Sequence, residues 1–188
     1  MVYLQYLGAF VGLVACFLTF KKIYREEEAG VNFTSWVLWG AFDTITAVAS
    51  IFEKGNWVLP FVYAIGAYAV TLLLYRKGKV KFSWVEAVVS PLVIICLAVV
   101  WYTSGNIDAI IASIGAIVIS SVPQVVDTWK KPSETPLMIY LYFGAAEILS
   151  FLGGTSWSVE QKLYPGTQFI ICIFIILSSF GKRKVSPN

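Results

Sequence analysis

Apolar residues along this chain fall into seven continuous runs, Val2–Phe20, Phe33–Phe52, Trp57–Tyr75, Trp84–Tyr102, Ile107–Val126, Pro136–Leu152 and Pro165–Phe180, separated by charged or turn-rich breaks. None of the runs alternates between apolar and polar positions, as the strands of a membrane barrel would. Each is near the length a tilted helix needs to cross a hydrocarbon layer about 30 Å thick. Within lipid a helix satisfies every backbone group inside its own segment. The pattern therefore predicts an all-α membrane protein with seven transmembrane helices.

Composition strengthens this reading and narrows the chemistry. Of the 188 residues 58% are hydrophobic and 13% charged, and the mean hydropathy is +0.75. A water-soluble core cannot absorb that much apolar surface, and no separate soluble domain fits beside the runs. The net charge of +3 comes from basic residues at the ends of apolar runs, so it reads as topology rather than nucleic-acid binding. Histidine is absent, which removes imidazole metal sites, Ser-His-Asp catalysis and imidazole proton relays. Cys16, Cys96 and Cys172 each lie inside a separate run and read as small hydrophobes. The first run lacks a basic leader and a small-residue cleavage pattern, so it is expected to remain as a span. No enzyme activity and no cofactor is expected.

Of the 14 lysines and arginines, only Lys54 and Lys162 lie on one side of the alternating runs. Lys21, Lys22, Arg25, Arg76, Lys77, Lys79, Lys81, Lys130, Lys131, Lys182, Arg183 and Lys184 lie on the other. That bias predicts an outside amino terminus, a cytoplasmic carboxy terminus and an odd number of spans, in what we expect to be the plasma membrane. Trp57, Trp84, Trp101, Tyr102 and Trp129 stand at run ends, where an interfacial aromatic belt accounts for them.

The chain also matches itself. A shift of 104 residues lays Gly40-Ala41-Phe42-Asp43 on Gly144-Ala145-Ala146-Glu147, Trp36 on Tyr140, Trp39 on Phe143 and Thr46 on Ser150. With one residue inserted in the next loop, Pro60 falls on Pro165, Tyr63 on Gln168 and Lys77 on Lys182. Runs 1 to 3 thus pair with runs 5 to 7, and run 4 restores a common orientation. The expected organisation is a 3+1+3 arrangement of parallel three-helix bundles: residues 1–81, a linker helix in 82–105, and residues 106–188 with a short cytoplasmic tail.

The segment Ser121-Val122-Pro123-Gln124-Val125-Val126-Asp127-Thr128-Trp129-Lys130-Lys131-Pro132 resembles the Pro-Gln signature that ends the first helix of a repeat in PQ-loop proteins. With the 3+1+3 pattern, the chain is similar across nearly its whole length to the SWEET and PQ-loop superfamily. That resemblance implies alternating-access transport of sugars or, in the cystinosin-like branch, proton-coupled export of amino acids. It also implies a gate or hinge at Pro123, Gln124 and Asp127, with Pro136 as a further gate proline. Proline removes a backbone donor and crowds the preceding turn, which gives a helix a place to bend. The first half departs from the signature, carrying Thr19-Phe20 where Pro-Gln would stand and Asn32 opposite Pro136, so the second half is expected to supply most of the bending.

Asp43 and Glu147 lie near the middle of runs 2 and 6. A carboxylate at that depth costs roughly 2.5–3.5 kcal/mol on insertion scales, so it is expected to face protein or water and to work. Trp36, Trp39, Gly40 and Thr46 share the helix face of Asp43, as Tyr140, Phe143, Gly144 and Ser150 share that of Glu147. The expected site is a midplane pocket with aromatic plates over a floor of carboxyls and hydroxyls, completed by Tyr63 and Gln168, with the two acids taking up and releasing a proton. Gly40 and Gly144 are expected where helices approach closely. The plainer alternative is that each acid bonds a neighbouring hydroxyl and packs the bundle. The function expected is transport of a small polar solute, amino-acid-like or sugar, with membrane lipids as neighbours, no nucleic-acid partner, and homo-oligomerisation left open. The alternatives are an uncoupled sugar facilitator and a non-transporting seven-helix receptor on the same fold.

Overall fold

A computed structural model describes residues 2–25, 30–80, 84–102, 105–132 and 137–180. Pro136, the acidic stretch Glu26, Glu27 and Glu28, and the basic tail residues Lys182, Arg183 and Lys184 lie outside the described residues. The described residues form seven helices, α1 (Val2–Arg25), α2 (Phe33–Phe52), α3 (Val58–Arg76), α4 (Trp84–Tyr102), α5 (Asn106–Lys130), α6 (Leu137–Gly153) and α7 (Val159–Ser178). Five of them, α1, α2, α3, α5 and α7, are long and apolar enough to cross a membrane. At 17 residues, α6 reaches about 25 Å, a little short of a full hydrocarbon layer.

Helix ends depart from the apolar runs where polar residues continue the helix. α1 and α5 carry their helices on through Lys22 and Arg25, and through Lys130, because cations in a last turn complement the exposed carbonyls. Lys77 adds to this at α1, its Nζ donating to the carbonyls of Ile23 (2.6 Å) and Tyr24 (2.7 Å). The seventh helix begins at Val159, not at Pro165: Ser158 stands at the N-cap position with extended backbone, Glu160 puts an anion in the first turn, and Pro165 lies inside. Gln161 and Lys162 had interrupted the apolar run without interrupting the backbone. Likewise α5 runs through Pro123 to Lys130.

α3 packs against α1 and α2, and α7 packs against α5 and α6. Between these groups α1 lies on α6 and α2 lies on α5, while α4 packs on α5. The tightest crossings rest on small residues. A Cβ on Gly8 would stand 2.7 Å from the Ala146 carbonyl oxygen and 2.9 Å from the Ser150 nitrogen, so α1 and α6 touch backbone to backbone. On Gly66 it would fall 2.3 Å from Cys16 Sγ. At Gly40 the nearest atoms belong to the Tyr68 ring, at 3.0 and 3.1 Å, whereas at Gly144 nothing lies nearer than 3.8 Å. Side-chain packing is thus close at Gly40 and ordinary at Gly144.

Polar clusters tie the helices together at both ends of the bundle. At one, Gln5 Nε2 donates to Gln161 Oε1 (3.0 Å), and Asn56 Nδ2 donates to Ser150 Oγ (2.8 Å). At the other, Asn32 caps α2 through its Oδ1, which accepts from Ser35 N (3.0 Å). Its Nδ2 donates to Glu86 Oε1 of α4 (2.8 Å) and to Asp127 Oδ2 of α5 (2.7 Å).

Candidate functional site

The middle of the bundle holds a cavity of about 40 Å³ bordered by α1, α2, α3, α6 and α7. Both acids line it: Asp43 from α2 is 2% exposed and Glu147 from α6 is 0% exposed. Trp36, Trp39, Tyr63, Tyr140, Phe143 and Gln168 line it with them. The ring walls are continuous. Tyr63 meets Phe143 edge to face at 5.3 Å, Trp36 and Trp39 stand 5.5 Å apart, Tyr140 and Phe143 6.0 Å, and Trp36 and Phe143 6.3 Å. A volume of that size has room for roughly three waters. A hexose or an amino acid therefore needs the helices to part.

The two carboxyls differ in what they touch. Asp43 Oδ1 accepts from the Tyr164 hydroxyl at 2.8 Å, and Gln168 Nε2 donates to that same hydroxyl at 3.3 Å. Neither oxygen of Glu147 has a hydrogen-bond partner among the described residues. The Tyr63 hydroxyl lies beside the Glu147 carboxyl without completing a bond. The Tyr140 hydroxyl and the Trp36 Nε1 proton, on the same walls, are unpartnered too. Buried polar groups are nearly always paired, and five that lack a partner among the described residues border this one cavity.

Other expected residues sit elsewhere. Thr46 and Ser150, one turn beyond the acids, do not border the cavity. Thr46 Oγ1 pairs with Ser113 Oγ at 2.8 Å, and Ser150 accepts from Asn56. Each hydroxyl fastens α2 or α6 to a neighbour. Trp39 does border the cavity, with its Nε1 donating outward to Ser121 Oγ of α5 at 3.0 Å.

Pro123, Gln124 and Asp127 gather at the α2 entry. Gln124 is fully buried; its Oε1 accepts from Asn32 N at 2.7 Å, and its Nε2 donates to the Gly30 carbonyl at 2.9 Å and to Thr128 Oγ1 at 3.2 Å. The amide thus braces the segment leading into α2. Glu86, which first-turn position alone would leave as a dipole-compensating anion, is 2% exposed and joins this cluster through Asn32.

Sequence reasoning missed Tyr164, Cys16 and Cys172. Tyr164 stands four residues before Gln168, on the same helix face, but a helix starting at Pro165 would have left it outside. Cys16 and Cys172 border the cavity as well, and nothing in their flanking residues distinguishes them from Cys96. Among the described residues no group of three or more Cys, Asp or Glu is placed to hold a metal ion. Comparison with protein-family models and with curated proteins finds no match to this chain.

Proposed function

We propose that this chain is an alternating-access transporter of a small polar solute, with the solute held between Asp43 and Glu147 and a proton exchanged at these acids. The observation that carries this reading is the cluster of atoms without partners among the described residues, Glu147 Oε1 and Oε2, Tyr63 and Tyr140 hydroxyls and Trp36 Nε1, around one cavity between the helices. Each such group left without a partner costs on the order of 1–3 kcal/mol, which favours a polar guest over dry core packing.

The 3+1+3 organisation belongs to the same proposal. Mapping α1, α2 and α3 onto α5, α6 and α7 turns the α1–α3 contact into α5–α7, α2–α3 into α6–α7, and α1–α6 into α5–α2. All six contacts occur. That correspondence supports two bundles related by an axis along the membrane normal, with α4 as the linker, as in the PQ-loop and SWEET proteins the sequence resembles. The cavity then lies between the bundles, and rocking of one against the other would open it to alternate sides. In this proposal the Asn32, Gln124 and Asp127 cluster closes the side on which the basic residues gather, the cytoplasmic side by the positive-inside rule, and the amino terminus lies outside the plasma membrane.

Purified protein in liposomes tests this directly. Uptake of labelled sugars and amino acids is measured with and without an imposed pH gradient, in the unaltered chain and in Asp43→Asn and Glu147→Gln. The expected outcome is solute uptake that responds to the gradient and loses that response in Glu147→Gln. Full, still pH-dependent uptake in both variants would remove the acids from the mechanism. A second reading, an uncoupled sugar facilitator, is favoured by the aromatic walls of the cavity; uptake of a sugar indifferent to the gradient and to Glu147→Gln would select it.

A further inference from the structure

Three features of the cavity constrain what it can hold. Glu147 is wholly buried, and both of its oxygens are without partners among the described residues. Aromatic rings stand close around it, Tyr63 and Phe143 in edge-to-face contact and Trp36 beyond. No lysine or arginine among the described residues borders the space, while a second acid, Asp43, does.

Each feature selects a ligand property. A carboxylate with two open oxygens is the complement of a group presenting two parallel N–H donors, which pair with it as a fork. Aromatic faces attract positive charge and stack on a planar cation. A pair of acids without a basic residue beside them favours a positive guest over a neutral one. From these properties we infer that Glu147 anchors a binding site for a compact planar cation with paired N–H donors, of the guanidinium or amidinium class. The inference rests on the proposal that this cavity is the solute site, and it names the solute's chemistry.

In the bound arrangement the two Glu147 oxygens accept the paired N–H donors, and the Tyr63 and Tyr140 hydroxyls accept those at the edges. Asp43, already engaged by Tyr164, contributes charge at longer range. The Trp36 indole proton meets a water or an oxygen on the ligand's substituent.

Guanidinium and urea share one heavy-atom frame and differ in charge, so they test the inference on the unaltered protein. Thermal unfolding and tryptophan fluorescence are followed during titration with guanidinium chloride up to low-millimolar concentration, with urea and sodium chloride as comparisons. The expected result is a saturable rise in the unfolding midpoint with guanidinium and none with urea or salt. Glu147→Gln should weaken binding at least about tenfold, the scale of a lost charge-assisted fork. Glu147→Asp keeps the carboxyl one methylene further back and should weaken it less, which guards against a misfolded Gln variant. Equal effects of urea and guanidinium, or undiminished guanidinium binding in a folded Glu147→Gln, overturn the inference. Saturable binding of glucose without any of guanidinium overturns it too, while leaving the transport proposal standing. Guanidinium that binds through Glu147 yet never crosses a liposome membrane supports the site and sinks the transport reading instead.

Discussion

Asp43 and Glu147 occupy matching places in the sequence and border one cavity, yet their surroundings are unequal. Asp43 is held by the Tyr164 hydroxyl, itself held by Gln168, while neither oxygen of Glu147 has a hydrogen-bond partner among the described residues. The 105-residue shift explains the difference at the level of single residues: Tyr164 falls on Leu59, a fully buried side chain with no donor to offer. Two acids at matching places in the sequence thus differ in their surroundings: Asp43 accepts from a hydroxyl, and Glu147 has the Tyr63 hydroxyl beside it without a completed bond. In the proposed mechanism Asp43 shapes the site and Glu147 meets the ligand or the proton.

The largest test of that division replaces each acid in turn. Glu147→Gln should lower solute binding by tenfold to a hundredfold, roughly the value of hydrogen bonds to a charged group, and Asp43→Asn by clearly less; equal losses by titration of the folded variants would erase the distinction. Next in size, Gln124→Ala leaves the Asn32 N–H and the Gly30 carbonyl without the partners they have now. A cost of about 2–3 kcal/mol is expected in equilibrium unfolding in detergent. Tyr164→Phe keeps the ring and removes the donor to Asp43, for about 1–2 kcal/mol. It should bring the Asp43 and Glu147 variants closer together in binding, and an unchanged gap between them would show that Tyr164 does not create it. Smallest are the paired glycines. Gly40→Ala pushes on the Tyr68 ring, which also pairs with Thr44, and should cost no more than about 1 kcal/mol. Gly144→Ala meets only ordinary contacts and should be neutral or stabilising by roughly 0.5–1 kcal/mol. A reversed order in thermal midpoints would contradict the packing described for α2 and α6.

Run length and hydropathy made most of the helices readable: α2 and α4 coincide with their apolar runs. The same criterion failed at the start of α7, because Gln161 and Lys162 are polar side chains on a continuous helix. That failure hid Tyr164. The depth of Asp43 and Glu147 was legible from their position within apolar runs. Their unequal partners were not, since hydrogen bonding across α2 and α7 depends on a tertiary approach that spacing along one helix does not encode. The backbone-to-backbone crossing at Gly8 escaped notice for a similar reason: a glycine's neighbours lie on another helix, and Gly40 and Gly144 drew attention only because they matched each other.

In the proposed 3+1+3 arrangement, Asn32 gives α4 a part in the mechanics. α4 packs on α5, and Glu86 at its start accepts from the side-chain amide of Asn32, which caps α2. One side-chain nitrogen therefore bridges three helices, with Asp127 of α5 on its other proton. In the proposed rocking of the bundles, any sliding would stretch or release that knot, and α4 would act as a strain gauge rather than a passive spacer.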